Sequence, residues 1–375
     1  MNTKLNAEKM PKLGFGLMRL PETEGAVDVE AVKKMVDAYM ESGFNYFDTA
    51  YVYHKGNSEK VIREALVERY PRESFYLATK LPAWSMSGPE DRDRIFGEQL
   101  ERCGVEYFDF YLLHSLEDGK NYDAYENYDC FRWAIEKKAQ GKIRHFGFSF
   151  HGTPELLEQV LDRHPEVEFV QIQLNYADWN NQVVQSGRLY EILHRRQIPM
   201  IVMEPVKGGM LANLQPELEK LLREVRPEAS AASWALRFVG SLEGVMTILS
   251  GMSSQEQMED NLQTFRRFEP LTDQEKEVIQ AVVKKMQAVD TIQCTSCRYC
   301  CDGCPMSIRI PDIFRAVNTA RLYPGDNRPR MYYKNLIGAG SGKASDCIGC
   351  GQCESVCPQH LPVVELLREA AERLE

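Results

Sequence analysis

Short apolar runs and longer amphipathic stretches alternate along the first 250 residues of this chain. The runs are Leu13 to Met18, Phe44 to Asp48, Phe75 to Lys80, Phe108 to His114, Ile143 to Ser149, Phe169 to Asn175, Met200 to Glu204 and Val245 to Ser250. Most are nearly continuous rather than alternating, the pattern of strands buried on both faces. Between them, apolar residues recur at helical spacing over Val29 to Met40, Glu59 to Arg69, Pro89 to Cys103, Tyr122 to Gln140, Pro154 to Arg163, Leu189 to Arg196, Glu217 to Val239 and Gln255 to Phe265. Eight strand-helix units in series predict an α/β fold of the (β/α)8 TIM barrel kind, because parallel strands need helical crossovers and eight of them close a sheet. An open doubly wound sheet would need a glycine-rich dinucleotide turn after an early strand. Gly14-Phe15-Gly16 is too short and lacks the third glycine.

The pattern changes near residue 270. Thr272 to Val289 predicts one further amphipathic helix, and Leu361 to Leu374 another; between Asp290 and about His360 the chain is rich in Cys, Gly and Pro without a long periodic pattern, and Arg321 to Arg330 reads as a loop. The expected division is a barrel over 1–270, a connecting helix over 271–290 and a small domain over 291–375.

Composition narrows the class. With 43% apolar and 27% charged residues the chain is globular, and a formal net charge of -10 argues against a nucleic-acid surface and against anionic membranes. No apolar run approaches a membrane span and the first ten residues carry no signal-type apolar core, so membrane insertion is not expected and a cytoplasmic location is.

Four polar residues fall at or just past consecutive strand ends: Asp48, Tyr53, Lys80 and His114. Each alone reads more readily as a surface or packing residue. Together, on strands that converge at the mouth of one barrel, they would cost desolvation energy with no return unless they carried chemistry.

The stretch GFNYFDTAYVYHKGNSE (43–59), with ATK ending at Lys80, DFYLLH ending at His114, GFS ending at Ser149, VQ ending at Gln171 and the stretch Gly251 to Asn261, resembles the aldo-keto reductases over about residues 11–265. The resemblance implies carbonyl reduction, or the reverse alcohol oxidation, with NAD(H) or NADP(H). Tyr53 would be the general acid, since a phenol with a reference pKa of about 10 needs help to release its proton. Lys80, kept charged by Asp48, would lower that pKa, and His114 would hold the substrate oxygen. The resemblance further implies cofactor contacts at Gly16, Met18, Asp48, Ser149, Gln171, Met203, Gly251, Ser253, Gln257 and Asn261. Three departures stand out. Phe150 replaces an expected asparagine and Met203 an expected stacking tyrosine. The loop from Gly251 to Gln257 lacks the lysine and arginine that would grip a 2′-phosphate, which favours NADH against the family habit. Trp84, Tyr122 and Trp179 are candidate walls of an aromatic, mostly apolar substrate pocket.

Nine of the eleven cysteines lie between Cys294 and Cys357. In a cytosolic chain such clustering points to metal rather than disulfides. Cys294-x2-Cys297-x2-Cys300-x3-Cys304-Pro305 and Cys347-x2-Cys350-x2-Cys353-x3-Cys357-Pro358 both match the bacterial ferredoxin run, whereas zinc sites use pairs of CxxC. The resemblance to two-cluster ferredoxins implies a ferredoxin-like iron-sulfur domain with two [4Fe-4S] clusters, the fourth cysteine of each run serving the other cluster. One cluster would take Cys294, Cys297, Cys300 and Cys357, the other Cys347, Cys350, Cys353 and Cys304; Cys301 is left over.

A hydride carries two electrons and a [4Fe-4S] cluster accepts one, so direct exchange between the halves needs an intermediary such as a flavin. The sequence has no flavin fingerprint, and a flavin at a barrel phosphate site stays open. Three readings follow: a reductase of small carbonyl compounds or alcohols wired to a redox protein partner, an electron-transfer component whose barrel is a docking or sensing body, and an ordinary reductase with structural clusters.

Overall fold

The structure, a computed structural model, describes residues 5–117, 120–181, 184–287, 290–322 and 328–375. It falls into two compact units, Met1–Pro205 with Ala232–Thr272, and Val206–Ala231 with Asp273–Glu375.

The first unit is a closed barrel of eight parallel strands: β1 Leu13–Gly16, β2 Tyr46–Asp48, β3 Tyr76–Pro82, β4 Phe108–Leu116, β5 Ile143–Phe150, β6 Phe169–Gln173, β7 Met200–Met203 and β8 Val245–Ser250. Each pairs with its neighbours in sequence, and β1 closes the ring against β8 through Leu13 and Ile248. Period-two geometry then decides what faces the barrel axis. Tyr46 of β2, Phe110 of β4 and Phe169 of β6 meet edge to face at 5.1 and 5.3 Å and fill the interior with Ala78, Leu112 and Ile201. Gly147 makes room for this layer, since a Cβ there would come within 2.9 Å of the Phe169 ring and 2.3 Å of its carbonyl oxygen. Two residues further along the same strands, on the same face, come Asp48, Lys80, Ser149, Gln171 and Met203. The apolar plug and the polar layer above it are thus successive turns of one repeat.

The outer helices follow their sequence patterns. Val29–Glu41 is capped by Asp28, whose side chain accepts from the Ala31 N–H at 3.0 Å, and buries Val32, Met35, Val36 and Tyr39 at helical spacing. Thr153 caps Pro154–Arg163 in the same way. Two expected helices are each broken in two. Tyr122 to Gln140 becomes Lys120–Asn127 and Cys130–Ala139, separated by Asp129 at φ 52°. Glu217 to Val239 becomes Pro216–Val225 and Ala231–Gly240, because Pro227 has no N–H and disfavours a helical residue before it.

That second break coincides with a unit boundary. Residues Val206–Ala231, placed in the barrel by the sequence pattern, belong to the second unit. There Pro216–Val225 packs on Asp273–Gln287, joined by Arg226 Nε to Glu275 Oε1 at 2.5 Å, and Gly208 at φ 62° lies so close to the Thr295 carbonyl that a Cβ would stand 2.5 Å from its oxygen. Of the connecting helix expected over 271–290, residues 288 and 289 lie outside the described residues. The segment expected to lack periodic structure contains two helices, Ile310–Leu322 and Arg328–Gly338. With Val363–Leu374 they enclose a core of Ile313, Phe314, Val317, Tyr333, Leu336, Leu367 and Leu374. Residues 323–327 of the expected loop lie outside the described residues. Among the described residues, no helix is long and apolar enough to cross a membrane.

Candidate active site and cysteine centre

The polar layer of the barrel brings the four predicted residues together. Lys80 Nζ, fully buried, donates to Asp48 Oδ1 at 2.6 Å and to the Thr49 carbonyl at 2.7 Å. It stands 4.9 Å from the centre of the Tyr53 ring, and the His114 ring meets Tyr53 edge-on at 5.9 Å. Tyr53 is held by its sequel. His54 and Lys55 adopt left-handed backbone at φ 49° and 56°, which turns the His54 ring back to accept from the Leu20 N–H at 3.3 Å and to pair with Glu22 at 3.0 Å.

Burial governs the protonation of all four. It pushes the Asp48 carboxyl up and the Lys80 ammonium down, each effect opposed by the attraction of the other, and it lowers the His114 imidazole well below its usual range, so that ring is neutral at neutral pH. Burial first, then Asp48 and Glu204, raises the Tyr53 hydroxyl well above 10, and the opposing cation is Arg19. Lys80, closed against Asp48, stands beside the phenol as one half of a buried pair.

Arg19 and Glu204 went unseen in the sequence. They form an ion pair at 3.3 Å, and Glu204 reaches the mouth from a left-handed residue, φ 56°, directly after β7. A charged residue closing a strand at the C-terminal mouth was the available signal. Behind Lys80 lies a second buried set. Glu59 accepts from Thr79 at 2.7 Å and Gln99 at 3.0 Å, and Gln99 also holds the Lys80 carbonyl at 3.0 Å.

The expected cofactor residues divide into those with spare bonding capacity and those already engaged. Gln171 Oε1 is buried without a partner, its amide nitrogen 3.5 Å from Met203 Sδ; Asp48 Oδ2 and His114 Nδ1 are likewise buried and unpartnered. Ser149 Oγ accepts from the Ser115 N–H at 2.8 Å and keeps its own proton to give. Bare Cα atoms at Gly16, beside the Ser250 carbonyl, and at Gly251, beside the Arg19 stem, leave a cradle that side chains would narrow. Met18 next to it is half-buried. Asn261 instead donates to Ser250 Oγ at 2.7 Å, Gln257 accepts from the Ser253 N–H at 2.8 Å, and Ser253 Oγ donates to the Arg19 carbonyl at 2.8 Å. Of the aromatic candidates, Trp84 lies 5.0 Å from His114 and is 47% exposed. Trp179 packs on Tyr190 and Phe238, and Tyr122 is buried.

In the second unit, Cys304, Cys347, Cys350 and Cys353 line one small pocket with Met306, Ile308 and Ile348 around them. Those are the four cysteines that crossing of the two runs groups together. The Ser296 N–H points at Cys294 Sγ, 3.4 Å away. The two runs repeat each other in backbone as well: left-handed residues fall at Ser296, Arg298 and Ser307 in the first and at Gly349, Gly351 and His360 in the second. Thiols gathered in an apolar pocket by tight loops suit an iron-sulfur cluster, whose irons each take one thiolate.

The architecture is a parallel eight-stranded barrel with polar residues at its C-terminal mouth, followed in sequence by a cysteine domain. The chain belongs to the aldo/keto reductase family, whose sequence profile matches residues 12–284; that of the 4Fe-4S dicluster domain matches residues 293–361. An uncharacterized oxidoreductase of Bacillus subtilis, YqkF, is 24% identical over 304 residues, covering 73% of this chain and 93% of that protein. L-galactose dehydrogenase of Arabidopsis thaliana is 27% identical over 282 residues, 70% of this chain and 86% of the enzyme. Among solved structures, the holo form of aldo-keto reductase AKR11C1 from Bacillus halodurans superposes with a TM-score of 0.60 at 25% identity, covering 72% of this chain and 91% of that one.

Proposed function

We propose that the protein reduces carbonyl compounds with NAD(P)H, or oxidises the corresponding alcohols, with Tyr53 as general acid or base, and that its cysteine domain holds two [4Fe-4S] clusters serving electron transfer. The observation that carries the first part is the convergence of a buried phenol, a neutral imidazole edge-on to it and a sealed Lys80–Asp48 pair in one barrel mouth. A structurally similar aldo-keto reductase of Klebsiella pneumoniae, 21% identical, is described in complex with NADPH, which supports the choice of cofactor class.

A bound nicotinamide supplies or removes the hydride. The chain's own part is positioning and proton transfer. Gln171 and Ser149 offer an acceptor and a donor to a carboxamide, and the Gly16 and Gly251 cradle admits the rest of the cofactor. Tyr53 gives its proton to the substrate oxygen in reduction and takes it back in oxidation. His114, neutral, donates one hydrogen bond to the same oxygen. The clusters would be held by the eight cysteines in the two crossed sets, and they accept and release single electrons.

Tyr53→Phe is the test. It should lower kcat for carbonyl reduction by at least about a hundredfold while leaving nicotinamide affinity near that of the parent; turnover like the parent's would remove Tyr53 from the chemistry. Anaerobically purified protein should contain about eight iron and eight acid-labile sulfide per chain.

A further inference from the structure

Six large hydrophobic side chains are exposed among the described residues, and all but Trp84 are in the cysteine-bearing unit. Two of them are neighbours on the helix Arg328–Gly338: Met331 is 63% exposed and Tyr332 39%. That helix, RPRMYYKNLIG, carries three basic residues and no acid. Lys334, exposed, lies one turn beyond Met331 on the same side. Beside Tyr332 stands Asp312, held by the Arg298 guanidinium at 2.9 and 3.0 Å and flanked by Arg315 at 3.9 Å. The two arginine side chains are 52% and 60% exposed. Arg298 follows Cys297 directly, so this face adjoins the cluster ligands of the first run.

Apolar area beside Arg298, Arg315 and Lys334, with Asp312 offsetting one of the three charges, on a chain whose formal net charge is -10, is a local reversal of sign. A folded monomer gains nothing by exposing methionine and tyrosine together, and a fixed patch of opposite charge orients an incoming protein. We propose that Arg298, Arg315, Met331, Tyr332 and Lys334 form the docking face for an acidic one-electron carrier protein, which meets the cluster of Cys294, Cys297, Cys300 and Cys357 there. The inference rests on the reading of the cysteine domain as an electron-transfer module and adds its partner's charge and its port. In the transfer, one electron passes between cluster and carrier. In the outward direction the cluster is oxidised by one electron, the carrier is reduced by one, and no proton or bond is exchanged.

Two carriers of opposite charge test it on the full-length protein. Both have high potentials, so electron flow to them from the reduced clusters is downhill: acidic plastocyanin, whose Cu(II) becomes Cu(I), and cationic cytochrome c, whose Fe(III) becomes Fe(II). Dithionite-reduced protein, freed of excess reductant, is mixed with each under stopped flow. The second-order rate with plastocyanin should exceed that with cytochrome c and fall about tenfold or more as salt is raised. Arg315→Glu with Lys334→Glu should slow plastocyanin about tenfold and speed cytochrome c. Met331→Asp should slow plastocyanin alone. Iron content and the reduced-cluster EPR signal certify each variant as intact. Unchanged plastocyanin rates in variants with parent-like clusters would overturn the docking face and leave the electron-transfer reading standing. Clusters that dithionite cannot reduce would overturn that reading and the docking face with it.

Discussion

The barrel mouth and the cysteine unit solve the same problem, holding reactive groups in register, by opposite means. In the mouth, position comes from the sheet: Asp48 and Lys80 project from adjacent strands whose register is fixed by main-chain hydrogen bonds, and the Lys80 ammonium donates to two protein oxygens. In the cysteine unit, position comes from loops between short helices, and among the described residues no three His, Cys, Asp or Glu side chains stand ready to hold a single metal ion. Four of the thiols, Cys304, Cys347, Cys350 and Cys353, line one apolar pocket. One site is organised by secondary structure, the other by what it would bind.

Removing iron should expose this difference most strongly. After chelation under oxidising conditions, amide exchange in Ile310–Leu322 and Val363–Leu374 should quicken by about a hundredfold or more, while the barrel strands keep their protection. Equal protection of those helices before and after stripping would show that the core around Phe314 and Leu367 suffices alone.

A cut into the barrel mouth should be costly in a different way. Asp48→Asn leaves the Lys80 ammonium buried beside a neutral amide, and breaking one partner of a buried pair costs about 3–5 kcal/mol. The expected result is a fall of that size in urea unfolding stability, largely recovered by adding Lys80→Met. A loss below about 1 kcal/mol would mean that the pair is already uncharged in the parent.

The same contrast explains what could be read from the chain. Strands buried on both faces write continuous apolar runs, so all eight were visible, and their ends placed Asp48, Lys80 and His114 in one mouth. Glu204 was visible only as the last residue of a run, because its significance depends on a left-handed turn and on Arg19, far away in sequence. The helix Ile310–Leu322 was overlooked although Ile310, Ile313, Phe314 and Val317 have helical spacing. The signal is a 13-residue helix set among cysteines, glycines and prolines, and nothing local says which apolar residues it faces. Pro227 marked the break in the long stretch from Glu217 to Val239, but that the piece before it joins the second unit is a tertiary fact.

Within the cysteine unit, the two runs invite a smaller test. They use left-handed backbone at matching positions, yet one has Ser296 and Arg298 where the other has Gly349 and Gly351. A side chain in that conformation costs about 1–2 kcal/mol, so Gly351→Ala, with nothing within 4 Å of the added carbon, should destabilise by about that amount. Ser296→Gly should be neutral or mildly stabilising. Thermal loss of cluster absorbance measures both, and equal effects would show that the two loops relax after substitution.

The finest distinction concerns the two charges that the barrel mouth adds to the tetrad. Glu204 disfavours ionisation of Tyr53 and Arg19 favours it. Carbonyl reduction needs the phenol protonated, so its alkaline limb marks the loss of that proton. Removing the carboxylate in Glu204→Gln makes the phenolate easier to form, and the limb should move to lower pH. Removing the guanidinium in Arg19→Gln should move it the other way. Burial and the nearby carboxylates hold the Tyr53 hydroxyl above the ordinary phenol range, so the Glu204→Gln limb belongs below the parent's. A merely structural role for the ion pair would lower kcat/KM in both variants without separating their limbs. Opposite displacements from the two halves of one ion pair would instead identify Tyr53 as the group that both of them address.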